Sequence, residues 1–70
     1  MPRKPSAQQL EAEADRLDVL YERHMEKARY TRLIGDAARA TRNLDAAGDL
    51  IVPAISARFR ANLAAIMEKQ

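Results

Sequence analysis

Apolar residues recur along the N-terminal half of the chain at Leu10, Ala14, Leu17, Tyr21, His24, Ala28 and Thr31, a 4-3-4-3 rhythm. That rhythm belongs to a helix; a strand would alternate at every second residue. Leu20 and Ile34 widen the stripe on one side and Met25 on the other, and the same phase runs on through Ala38 and Thr41. The pattern predicts one long helix from Ser6 to about Ala47. Its start is marked by Ser6 as N-cap and Gln9 three residues later, a capping box. Glu11 and Glu13 follow near the positive end of the helix dipole. No proline falls between Pro5 and Pro53, and the intervening residues are mostly good helix formers. Ala, Thr, His and Gly stand where a two-stranded coiled coil would carry Leu or Ile. Small residues let helices approach closely, so the face suits a bundle better than a zipper.

Gly35-Asp36 interrupts this run. A glycine inside a helix costs about 1 kcal/mol against Ala, and Gly35 can instead end one helix with Asp36 capping the next. The uninterrupted stripe favours a continuous or kinked helix over a corner. Gly48 reads as the stop, the usual left-handed residue past a helix end, and Asp49 as the N-cap after it. Leu50-Ile51-Val52-Pro53 then opens a last helix, with Pro53 in or near the first turn, where a missing amide is tolerated. Val52, Ile55, Phe59, Leu63 and Ile66 form its apolar stripe, broadened by Ile51 and Met67.

The expected fold is all-α, a long helix and a C-terminal helix in an antiparallel hairpin. A first segment of about 41 residues spans roughly 60 Å, and a last helix of about 20 residues roughly 30 Å. The last helix therefore reaches back only to about Ala28. Leu10, Leu17, Leu20, Tyr21, His24 and Met25 are left as a stripe with no partner in the chain, which implies an intermolecular one. A homodimer, antiparallel or domain-swapped, that completes a helical bundle across those residues is expected. A turn at Gly35 would allow a compact three-helix bundle instead.

Seventy residues make one domain at most: a helical domain over residues 6–70 behind a disordered basic arm over residues 1–5. A chain this short rarely draws more than about 3–5 kcal/mol from one core without a staple or partner. There is no cysteine, hence no disulfide framework and no thiolate metal site. The N-terminus does not read as a signal peptide, and no stretch is taken to approach the roughly 18 apolar residues of a membrane span. A soluble, cytoplasmic protein without membrane partners is expected. Net charge is +2 but unevenly spread. Glu11, Glu13, Asp15, Asp18 and Glu22 face only Arg16 in the first part. Arg23, Lys27, Arg29, Arg32, Arg39 and Arg42 then outweigh Glu26 and Asp36. An acidic end and a basic remainder can pair head to tail between subunits or give one face a preference for nucleic acid.

Candidate chemistry is sparse. His24 is the only histidine; a zinc site normally takes four ligands, so His24 beside Glu22 and Glu26 reads as a packing or interface residue. The pairs Asp15 with Asp18 and Asp18 with Glu22 are helix neighbours, without the desolvated pocket that acid–base work needs. No Gly-rich phosphate loop and no nucleophile–histidine set occurs. A non-enzyme with no cofactor, metal or catalytic residue is expected. Arg29, Arg32, Arg39 and Arg42 are the sharpest feature, since guanidinium forks suit phosphate or carboxylate. Against this stands a solvated helix face with local pairs such as Arg32 with Asp36. Tyr21, Tyr30 and Phe59 are too scattered for a base-stacking platform.

Arg3-Lys4-Pro5-Ser6, then a charged helix, then Arg29-Tyr30-Thr31-Arg32-Leu33-Ile34-Gly35, then Ala47-Gly48 and a helix reaching Phe59-Arg60 make up an order that covers most of the chain. This order resembles the small conjugal-transfer accessory proteins of plasmids, the TraC/TraD-type relaxosome components. Asp36 stands where that pattern has a basic residue. The resemblance implies a non-catalytic partner of a DNA-nicking complex, with a relaxase as protein partner. Two functions follow as expectations. One is a dimeric accessory protein of a mobile element, touching DNA through Arg29, Arg32, Arg39 and Arg42. The other is a protein–protein adaptor that docks a partner helix without nucleic acid.

Overall fold

Ser6 Oγ accepts from the Gln9 amide at 3.2 Å, and the Gln9 side chain accepts from the Ser6 amide at 2.9 Å, so the capping box forms as expected. Helix α1 then runs over Ala7–Leu33. The computed structural model describes residues 5–70. The expected basic arm, apart from Pro5, lies outside them.

The chain turns at Gly35, where a continuous or kinked helix was expected. The Asp36 amide donates to the Thr31 carbonyl at 2.8 Å and the Gly35 amide to the Arg32 carbonyl at 3.1 Å, the two bonds of a Schellman turn. That turn needs a left-handed residue, and Gly35 supplies it with φ +83°. Asp36 then accepts from the Arg39 amide at 3.1 Å and caps helix α2, Ala37–Glu68. Gly35→Ala is expected to cost about 1 kcal/mol of stability, read in urea unfolding. Nothing lies within 4 Å of an added Cβ there, so the loss is conformational, and a neutral result would contradict this account of the turn.

Gly48 and Pro53, read as the stop and the first turn of a last helix, both lie inside α2. The helices are thus nearly matched, about 40 and 48 Å at 1.5 Å per residue. The Glu68 carboxylate accepts from the Ala7 amide at 2.8 Å, so the end of α2 meets the start of α1. The expected shortfall in reach does not exist, and neither does a third helix among the described residues. The chain is all-α, two helices packed against each other in an antiparallel hairpin.

The seam is built on small residues. On α1 it follows Ala7, Leu10, Ala14, Leu17, Tyr21, His24, Ala28 and Thr31; on α2 it follows Ala40, Asn43, Ala47, Leu50, Ala54, Ala57, Ala61 and Ala64. Both sets keep a seven-residue repeat, the period of a coiled coil. The buried residues among those described are seven alanines and Thr31. Thr31 is satisfied locally, donating to the Lys27 carbonyl at 2.7 Å. No large side chain among the described residues is fully buried. The hairpin measures 53 × 22 × 14 Å, with a radius of gyration of 15.9 Å against about 11 Å for a compact chain of this length.

The apolar stripe read for the last helix faces outward, away from the seam. Val52, Ile55, Phe59, Leu63 and Ile66, with Ile51 and Met67, are all exposed. By length and composition α2 is also apolar enough to cross a membrane, against the expectation that no stretch approaches such a span.

Candidate functional site

α2 carries apolar residues on two opposite sides. Its alanines pack on α1; Leu44, Ile51 and Ile55 lie at the flanks, where they line grooves shared with α1, and Val52, Phe59, Leu63, Ile66 and Met67 point away, between 46% and 70% exposed. A helix apolar all round is normally enclosed on all sides. Here one side is covered by α1, and the larger side chains are left largely exposed. Exposed apolar patches of this kind mark interaction surfaces.

The residues assigned to a dimer interface are placed differently from that expectation. Leu10, Leu17, Tyr21 and His24 lie half-buried in the seam of their own chain, and Met25 is half-buried beside it. Leu20 is exposed. With α2 running alongside, all of these residues but Leu20 are partly covered within the chain, and the shortfall in reach that assigned them to an interface falls away. His24 Nδ1 is buried without a hydrogen-bond partner. An unsatisfied buried polar atom costs about 1–3 kcal/mol, so His24→Leu is expected to stabilise the hairpin by about 1 kcal/mol in thermal or urea unfolding. A destabilised variant would mean that the nitrogen has a partner in solution.

Arg29, Arg32, Arg39 and Arg42 all lie exposed near the turn, but they do not form one cluster. Arg29 and Arg32 line a groove of about 340 Å³ with Met25, Ala28, Ala37, Ala40, Thr41 and Leu44. Arg39 and Arg42 are outside that lining. The Arg39 Nε sits 3.4 Å from the Asp36 carboxylate, so Asp36 pairs with Arg39 and not with Arg32. Asp15 and Asp18 are brought together by Arg58, whose guanidinium donates to each at 2.7 Å. The hydrogen bond to Asp15 first, then that to Asp18, raises the Arg58 pKa above its already high value. This trio joins α1 to α2 at the solvent edge and accounts for the acidic pair structurally. Glu22 is exposed and takes no part in it. Exposed pairs of this kind are screened by solvent and add little to stability.

The Arg58 bridge and the Glu68 contact have no signal in local spacing, because their partners lie 40 to 61 residues away. The outward face did have a signal: Ala40, Ala47, Ala54 and Ala61 recur every seven residues and claim the inner side of α2 for themselves. Among the described residues, no three His, Asp or Glu side chains are grouped to hold a metal ion. Compared with protein-family models, with curated proteins and with solved structures, the chain finds no match in any of the three.

Proposed function

We propose that this chain is a docking module without chemistry of its own: a stiff helical hairpin whose α2 presents its outer apolar face to another helical surface. The observation that carries the reading is the inversion in α2, where alanines face α1 and Val52 and Phe59, 70% and 67% exposed, face away. A lone hairpin gains nothing from that choice, whereas an assembly buries the larger side chains where they contribute most, about 1.5–3 kcal/mol for each one fully buried. A photocrosslinking residue placed at Ile55 or Phe59, in cells that produce the chain, is expected to yield adducts of defined mass. The same residue at Glu26, on the outer side of α1, is expected to yield none. No adduct from either α2 position would refute the reading.

A second reading, contact with DNA as an accessory of a DNA-processing complex of a mobile element, draws support from the turn end. There Arg29 and Arg32 share one groove. Affinity for duplex DNA should fall linearly on a log scale with salt, and Arg29→Gln with Arg32→Gln should reduce the slope by about 2. Binding absent at 50 mM salt, on the order of the lowest useful ionic strength, would remove this reading.

A further inference from the structure

Resting on the docking reading above, we propose that the occupant of the α2 face is a second copy of this chain, set antiparallel about a two-fold axis near Ile55 and Ser56 to form a four-helix bundle. A two-fold interface must be self-complementary, and this face is. It runs from Leu44 to Met67, and its midpoint falls at Ile55–Ser56. An antiparallel pairing about that point sets Val52 against Phe59 and Gly48 against Leu63, small against large, with Leu44 meeting Met67; it also sets Ile51 opposite Arg60 and Ile66 opposite Asp45.

The charges select the same orientation. The open end of the hairpin holds Glu11, Glu13, Asp15, Asp18, Glu22 and Glu68 against Arg16, Arg58, Arg60 and Lys69, a net charge of −2; the turn end holds Arg23, Lys27, Arg29, Arg32, Arg39 and Arg42 against Glu26, Asp36, Asp45 and Asp49, a net charge of +2. Antiparallel copies bring the basic end of one to the acidic end of the other. Parallel copies bring like to like, which is unfavourable.

The single hairpin is too extended to enclose its own apolar surface: the chain exposes 5859 Å², against about 4,400 Å² for a compact protein of its mass, and an interface of standard size covers roughly 800 Å² per partner. A bilayer is the weaker fit. Arg58 lies within the apolar part of α2 and is fastened to Asp15 and Asp18 at 2.7 Å, so inserting α2 would carry an ionic trio into hydrocarbon or break it.

The test uses the full chain in sedimentation equilibrium and cysteine crosslinking, which is clean because the sequence has no native cysteine. The wild type is expected at twice its 7.9 kDa mass at tens of micromolar, with a melting temperature that rises with concentration, as dissociation-linked unfolding requires. Val52→Glu with Phe59→Glu is expected to weaken association at least 100-fold while circular dichroism keeps its helical signal, since both residues are exposed in the single hairpin. Ser56→Cys is expected to crosslink to itself. Arg42→Cys is expected to crosslink to Lys69→Cys in a mixture but not to itself. Self-crosslinking of Arg42→Cys with no mixed product would overturn the antiparallel arrangement. A wild type that stays single at high micromolar concentration would overturn the second copy. If such a protein still gives an adduct of another mass at Ile55, or floats with phosphatidylglycerol vesicles, the docking reading stands with a different occupant. If it does neither, both readings fall.

Discussion

Replacing Pro53 by Ala is expected to raise the stability of the hairpin by about 1–3 kcal/mol, the upper value being the full helix-interior difference between the two residues. Pro53 sits well inside α2. It offers no amide to the Asp49 carbonyl, and its ring crowds that carbonyl. The side chain is exposed, so Ala forfeits little contact. Urea unfolding should show a higher midpoint with an unchanged slope, because the surface exposed on unfolding is nearly the same. A neutral or destabilised variant would place Pro53 at the start of a helix, where proline costs little. Gly48→Ala tests the same point by another route. Gly48 is helical, with nothing within 4 Å of a built Cβ, so Ala there should add about 0.5–1 kcal/mol. At a true left-handed stop it would subtract.

Two Gly-Asp pairs explain why the sequence points to the wrong turn. Gly35 and Gly48 are both followed by Asp, at Asp36 and Asp49, and each pair reads as a helix end and a new cap. Gly48 gained credit from Pro53 downstream, which suits a first turn. What separates the two is the phase of the seam. Carried past Gly35, the stripe of α1 would continue at Ala38, Thr41 and Asp45. The seam of α2 instead uses Ala40, Asn43 and Ala47, with Ala38 and Thr41 exposed. Alanine at positions 37, 38 and 40 fits either phase, so composition hid the jump. The α1 stripe itself was legible from Leu10 to Thr31, because Tyr21, Leu17 and Leu10 mark its phase with bulk. On α2 the same reliance on bulk misled. Bulk marks Ile, Phe and Val as the packed side, but α1 lies against the alanines. A chain read alone gives the periodicities of both faces and does not say which neighbour each face meets. The Arg set was legible as a local charge run; its division between a groove and the opposite side of α2 depended on where the chain turned.

Ala14→Leu tests the seam at its tightest point. Ala14 and Ala61 are fully buried, and both belong to the seven-residue alanine repeats that let the helix backbones come close. A leucine adds three carbons where there is no room. The helices must separate, or the side chain must leave its rotamer, and the expected cost is about 1–3 kcal/mol. Separation would also strain the Glu68 contact to the Ala7 amide, which lies two turns away on the same seam. By simple hydrophobicity the opposite is expected, because leucine is the better core residue and a helix former close to alanine. The sign of the change therefore decides between a close-packed small-residue seam and a loose one waiting to be filled. Ala12→Leu is the control. Ala12 is exposed on the outer side of α1, and its substitution should shift stability by less than about 0.5 kcal/mol. If Ala14→Leu stabilises the chain while Ala12→Leu is neutral, the helices are not held together by their alanines. The larger side chains of α2 would then have no reason to face away from α1, and the outward face on which the docking reading depends would lose its basis.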